Sequence, residues 1–213
     1  MILTVDIGNS NIVLGGVERD DIIFEARLRT DLTKTSDEYC IDLKMILEVY
    51  EIKALEIEGA IIGSVVPQVL NSMQTAIKKL TGKTALVVGP GLKTGLNIKI
   101  DNPAQTGADL VVGCVAALRE HKPPMIVVDM GTATTMVVLD ASGALVGGSI
   151  APGVKISMDA LTERTALLPG LQLDTPKRAI GRNTVDCMRS GIMLGAACQI
   201  DGMVERMEAE LGM

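Results

Sequence analysis

Apolar positions along this chain change their period in a regular way. Residues 2–7, 11–17 and 21–28 (ILTVDI, NIVLGGV and DIIFEARL) are apolar or alternating runs between short polar breaks, the pattern of three strands joined by tight turns. The period then lengthens. Thr35 with Glu38 makes a capping box, and Tyr39, Leu43, Ile46, Leu47 and Tyr50 follow at the spacing of one helix face. GAIIGSVVP predicts a buried strand stopped by Pro67. Leu70, Met73, Ile77 and Leu80 predict a second amphipathic helix, and ALVVG a further strand. The first half therefore reads βββαβαβ.

After the loop NIKIDNPAQT, the apolar run GADLVVGCVAALRE predicts a helix, and the opening pattern returns. MIVVDM, TTMVVLD and ALVGGSI predict three strands. A helix follows Pro152-Gly153, and a long one runs from about Asn183 to Leu211. Its stripe of Met188, Ile192, Ala196, Ile200, Met207 and Leu211 is expected to bury one face. Asp6-x-Gly8 is echoed by Asp129-x-Gly131, with strands in the same rhythm after each. A repeat this long points to a duplicated domain rather than a solenoid. Two βββαβαβ lobes with an interlobe cleft describe the α/β duplicated ribonuclease H-like (actin-like ATPase) fold. The expected lobes are residues 1–118, with the linking helix, and 119–213. The second is expected to be incomplete, since no strand is predicted after the long helix.

Composition narrows the function. Hydrophobic residues make up 47 % of the 213, almost all aliphatic, with one Phe, two Tyr and no Trp. That argues against base stacking on single-stranded nucleic acid. A net charge of −6 opposes electrostatic binding to DNA or anionic membranes. No apolar run has membrane-spanning length, and MILTVDIG lacks the basic lead of a signal peptide, so a cytoplasmic protein with no nucleic-acid or membrane partner is expected. The four cysteines form no CxxC pair and His121 is the single histidine. Zinc sites and Ser/His or Cys/His nucleophile systems are thereby disfavoured. The cysteines are expected as free thiols in the core, and His121 in a solvated loop.

Candidate chemistry concentrates in few places. DIGNSN alone is ordinary hairpin material, because Gly and Asn tolerate positive φ. Alternatively, the N–H groups of such a turn cradle phosphates while the Asp faces a metal ion. DMGTATT favours the second reading, since two acidic Gly turns brought face to face would grip one nucleotide. The GKT in LTGKTALV is not a P-loop, because Ile77 occupies the position of its first glycine; Gly82 reads as a helix end. Asp109 opens an apolar helix, either offsetting its dipole or acting as a general base on a substrate hydroxyl. GGSIAPG, residues 147–153, is a turn or a helix N-terminus near an anion.

In combination these motifs are specific. DIGNSN, GAD at 107–109, DMGTATT at 129–135, GGSIAPG, RTALLP at 164–169 and GRNTVDCMRSG at 181–191 resemble, in identity and order, the type III pantothenate kinases, across essentially the whole chain. The resemblance implies phosphorylation of pantothenate by ATP, the first step toward coenzyme A, in a cytoplasmic homodimer. It also implies Mg2+ and a monovalent cation, K+ or NH4+. By motif, Asp6, Ile7, Gly8, Asn9, Ser10, Asn11, Ile12 and Val13 resemble the first phosphate loop, with Asp6 toward the magnesium, and Thr132 a second ATP contact. Asp109 resembles the base and Asp129 the monovalent-cation ligand. Ile100, Gly107, Ala108, Asp109, Leu110 and Thr184 match pantothenate-contacting positions, and Arg164 is implied to reach the substrate across a dimer. Leu110 stands where the family usually has Arg, and Ile100 where it commonly has Tyr. Those departures keep open a non-catalytic or regulatory kinase-derived dimer, or a kinase for another small hydroxyl substrate.

Overall fold

The computed structural model describes residues 1–212; residue 213, the last of the expected second lobe, lies outside them. Contacts within the chain divide it into two units. The first holds residues 1–95 and 102–115, the second residues 96–101 and those from 116 onward.

In the first unit the opening runs form β1 (Ile2–Ile7), β2 (Asn11–Glu18) and β3 (Asp21–Arg29). β1 pairs antiparallel with β2, and β2 with β3. On its other side β1 pairs in parallel with β4 (Gly59–Ser64), which meets the short β5 (Leu86–Val87), giving the order β3-β2-β1-β4-β5. Parallel neighbours need crossovers, supplied by α1 (Ser36–Val49) and α2 (Pro67–Thr81). The capping box starts α1: Thr35 Oγ1 accepts the Glu38 N–H while the Glu38 carboxylate accepts the Thr35 N–H. Pro67 does more than stop β4. It opens α2 at the first-turn position, where its missing N–H costs nothing, and Gly82 ends α2 in the left-handed region.

The predicted faces meet in one core. Leu3, Val5 and Ile7 of β1, Ile12 and Leu14 of β2 and Ile62 of β4 pack with Tyr39, Leu43 and Leu47 of α1 and Val69, Met73 and Ile77 of α2, all buried. Tyr50, expected on that face, instead caps α1 and stacks on Phe24, with ring centroids 4.9 Å apart.

In the second unit β6 (Met125–Met130), β7 (Ala133–Leu139) and β8 (Leu145–Pro152) form an antiparallel sheet in the order β6-β7-β8. The linking helix α3 (Ala108–Glu120) begins in the first unit and ends in the second. α4 (Val154–Arg164) follows β8. The predicted continuous helix from Asn183 is interrupted: α5 (Thr184–Arg189) passes through a π-helical turn at Ser190–Leu194 into α6 (Gly195–Leu211). Asn183 caps α5 by accepting the Asp186 N–H.

Two expectations about burial and one about strand length need correction. Met188 and Ile192 are buried against Met158, but α6 has no buried residue, and Leu211 is exposed. ALVVG forms a strand of only two residues. Cys114 is buried and Cys40 half-buried, but Cys187 and Cys198 are exposed, because they ride on the solvent-facing sides of α5 and α6. Among the described residues no helix is long and apolar enough to cross a membrane.

Candidate functional site

The first unit gathers its candidate residues at one end of the sheet. β1 is central, so Asp6, near its end, is flanked by Val13 of β2 and Gly63 of β4. The strand's alternation sends Val5 and Ile7 into the core and leaves Asp6 exposed. Gly63 keeps the surface beside the carboxylate open: a Cβ there would lie 3.7 Å from Asp6 Oδ1 and 4.0 Å from the Ala108 Cβ. The start of α3 therefore comes close to the Asp6 carboxylate.

The turn itself differs from the sequence expectation. The Gly8 N–H donates to the Asn11 carbonyl at 3.0 Å, and no residue from 8 to 11 adopts a positive φ. Thr30, just beyond β3, braces it from outside. Its Oγ1 donates to the Gly8 carbonyl at 2.6 Å and its N–H to the Ser10 carbonyl at 3.1 Å. Asn9, Ser10 and Asn11 are exposed, whereas Ile7 and Ile12 point into the core and offer only backbone groups to a ligand.

Asp109 lies in the first turn of α3, half-buried, with its Oδ1 accepting the Leu110 N–H at 2.8 Å. The carboxylate folds back over Gly107, where any Cβ would collide with it. Only glycine fits that position with Asp109 in this conformation. The buried Thr106 Oγ1, immediately upstream, has no hydrogen-bond partner. Asp6, Ala108 and Asp109 thus share one locality, with Gly63, Thr30 and Thr106 as supporting residues that motif reading missed. Gly63 had a visible signal, a glycine closing an apolar strand; a lone Thr has none.

The second unit builds a related turn with different parts. Asp129 is exposed near the end of β6, and Thr132 is exposed in the turn. The Gly131 N–H donates to the Ala133 carbonyl at 2.9 Å, and the Gly153 N–H to the Thr132 carbonyl at 3.1 Å. Gly153 is also the N-cap of α4. A Cβ on it would collide with the Gly131 and Thr132 carbonyls, so the glycine lets the helix start press against the turn. The α4 N-terminus, with its unpaired N–H groups, is thereby set beside the Asp-x-Gly turn, the arrangement that suits an anion. Thr135 is the cross-strand partner of Asp129, on the same face of the sheet. Its Oγ1 is buried without a hydrogen-bond partner.

The remaining candidates also lie in the second unit. Thr184 lines a largely apolar cavity of about 650 Å³ with Pro152, Val154, Met188, Ile192 and Gln199. Arg164 is the exposed last residue of α4. Ile100 is half-buried on an extended segment, residues 96–101, tied to the start of β8. Among the described residues no three His, Cys, Asp or Glu side chains converge as a metal cluster.

The chain as a whole is similar to known proteins. A family model described as type III pantothenate kinase matches residues 2–206. A type III pantothenate kinase of an Exiguobacterium species is 42% identical over 212 residues, covering 100% of this chain and 84% of that protein. One from Halalkalibacterium halodurans is 43% identical over 210 residues, covering 99% of this chain and 83% of its own. Two solved structures share the fold at low identity. A Campylobacter jejuni protein described as a Baf family transcriptional activator gives a TM-score of 0.53 at 18% identity, over 94% of this chain and 78% of that one. A Sinorhizobium meliloti protein described as a 2-dehydro-3-deoxygalactonokinase gives 0.51 at 17% identity, over 78% and 58%.

Proposed function

The chain belongs to the type III pantothenate kinase family, and from that premise we propose that it transfers the terminal phosphoryl group of ATP to the hydroxyl of pantothenate, the first step toward coenzyme A. The observation that carries the reading is the convergence of the Asp6 carboxylate with the start of α3, which bears Asp109.

Asp109 is the general base. One carboxylate oxygen is held by the Leu110 N–H, leaving the other to accept the substrate hydroxyl proton. As that proton leaves, the hydroxyl oxygen bonds to the γ-phosphorus and the bond to the β-phosphate oxygen breaks, releasing ADP. Phosphoryl transfer asks the protein mainly for alignment and charge neutralisation. Within the first unit, alignment of ATP falls to residues Asp6 to Val13, of which Ile7 and Ile12 contribute through their backbone; in the second unit, Thr132 beside the α4 N-terminus is assigned to an ATP phosphate by resemblance to the family. By resemblance to the family, Gly107 to Leu110 in the first unit and Ile100 and Thr184 in the second are assigned to pantothenate, and Arg164 to reaching it across a dimer.

Two cations fit the donors present. Asp6 offers an exposed hard-oxygen ligand, and a single protein carboxylate with phosphates and water is a common set for Mg2+. Asp129 and the orphaned Thr135 hydroxyl offer oxygens on one sheet face, suited to K+ or NH4+. Such cations supply positive charge to the phosphates and the site. A homodimer is supported by α6, which has no buried residue and leaves Ala196, Ile200 and Met207 only half-buried. Sedimentation at several concentrations tests this, and a monomer throughout would remove it.

ADP release measured by a coupled assay, with and without pantothenate and potassium, tests the activity. Turnover dependent on pantothenate is expected. ADP release that ignores pantothenate at saturating concentration would overturn the assignment of substrate.

A further inference from the structure

Residues 96–101 form a strap tied to the start of β8. Ile98 makes a single parallel bridge with Leu145. The Leu145 N–H donates to the Asn97 carbonyl at 2.8 Å, and the Lys99 N–H to the Leu145 carbonyl at 2.7 Å. Leu96, Ile98 and Ile100 are half-buried, whereas Asn97, Lys99 and Asp101 are exposed, so the strap alternates as a strand does. A slip of one residue would replace Ile100 on the inner face by Lys99 or Asp101. One bridge specifies register weakly.

A side-chain contact adds a further constraint. Lys99 Nζ lies 3.0 Å from Asp140 Oδ2. Asp140 is itself fixed, because its Oδ1 accepts the Ser142 N–H at 2.8 Å, the Ala144 N–H at 3.0 Å and the Ser142 hydroxyl. The carboxylate is locked into the β7–β8 corner and presents its second oxygen outward. With Ile98 opposite Leu145, Lys99 reaches that oxygen. We propose that Lys99 and Asp140 are positioning residues for the acceptor: they lock the register of the strap and so hold Ile100 where pantothenate contacts it. The proposal rests on the reading of Ile100 as an acceptor contact, and predicts that the pair acts on acceptor binding and leaves ATP untouched.

The test compares Lys99→Met, Lys99→Arg, Asp140→Asn and Ile100→Ala in the full chain. Pantothenate KM and kcat are measured, and pantothenate affinity by calorimetry. Lys99→Met and Asp140→Asn are expected to weaken pantothenate binding about fivefold, the upper range for an exposed ion pair. ATP KM and kcat stay within about twofold, and Lys99→Arg restores wild-type behaviour. A purely structural pair would instead lower thermal stability without separating the two substrates. If Ile100→Ala weakens pantothenate binding while Lys99→Met does not, the positioning role is wrong and the reading of Ile100 stands. If Ile100→Ala has no effect on pantothenate, the underlying reading fails and the proposal with it.

Discussion

β1 and β6 begin the two halves of an internal repeat, yet their surroundings are opposite. β1 lies between β2 and β4 and buries Leu3, Val5 and Ile7. β6 pairs with β7 alone among the described strands and buries no residue; Val128 and Met130 are exposed. α1 and α2 close over the first sheet with large buried side chains, whereas α6 buries none. Similar apolar runs therefore end in different environments. An apolar run specifies a strand, but burial depends on which neighbours arrive, and among the described residues the parallel strand that flanks β1 has no counterpart beside β6. The two Asp-x-Gly turns differ accordingly. The first is braced by Thr30 and opens toward the start of α3, the second by Gly153 and the start of α4.

The largest effect expected from this contrast is catalytic and belongs to the first unit. Asp109→Asn removes the proposed base while keeping an oxygen to accept the Leu110 N–H. A positioned base contributes about 10²–10⁴ in rate, so kcat should fall about 10³-fold with ATP affinity nearly unchanged. Steady-state kinetics and ATP calorimetry check this. A loss below tenfold would return Asp109 to helix capping alone.

Stability should divide the same way. Met73 of α2 is fully buried, and Met73→Ala should cost about 2–5 kcal/mol. Met207→Ala on α6 removes a half-buried side chain and should cost under about 1 kcal/mol. Denaturant midpoints measured at low concentration compare them. If Met207→Ala costs as much as Met73→Ala, and more at high protein concentration, a second copy covers α6.

Gly153→Ala probes the second turn. The added methyl would strike the carbonyls of Gly131 and Thr132, and overpacking of this kind costs about 1–3 kcal/mol. ATP KM should rise with it, because Thr132 moves. Gly63→Ala in the first unit meets only ordinary contacts, so it should keep the fold within about 1 kcal/mol and act on the nucleotide through the space beside Asp6. Paired melting curves and ATP titrations distinguish the two.

The contrast also explains what could be read in advance. The strands of both halves, the α1 capping box and the Gly82 stop were legible because local chemistry decides them: alternation, a reciprocal side-chain cap and a left-handed residue. The candidate carboxylates were legible as motifs, since Asp6, Asp109 and Asp129 each stand two residues from a glycine in the sequence. Burial of α6 was not, because an apolar stripe records which face prefers to be covered and leaves open whether a layer is present. The π-helical turn at Ser190–Leu194 was hidden for a related reason, as the stripe continues unbroken through Ile192. Thr30, Thr106 and Thr135 stayed invisible because their importance comes from a carbonyl brought near, or from a missing partner, and neither has a sequence period.

The smallest expected effect concerns the two β-hairpin corners. In the first unit β2 and β3 are joined through Arg19 and Asp20, with Arg19 at positive φ. In the second, Asp140 organises a longer corner through Ser142, Ala144 and Lys99. The Ser142 hydroxyl, the Lys99 ammonium and the Ala144 N–H hold its carboxyl well below the ordinary value of 3.8. A carboxyl depressed in the folded state stabilises it fully above the unfolded value and loses that contribution as pH falls through the folded one. The melting-temperature gap between the wild type and Asp140→Asn should therefore be constant from about pH 8 to pH 5 and narrow only below the unfolded value of 3.8. Asn keeps Oδ1 for the Ser142 and Ala144 N–H groups, so the gap itself should be small and reflect the lost charge opposite Lys99. Raised salt should shrink it further, because the Lys99–Asp140 pair is exposed on the lysine side. A gap that widens in acid would show that the carboxylate is not the stabilising form, and would separate this corner from the hydrogen-bond pattern that defines it.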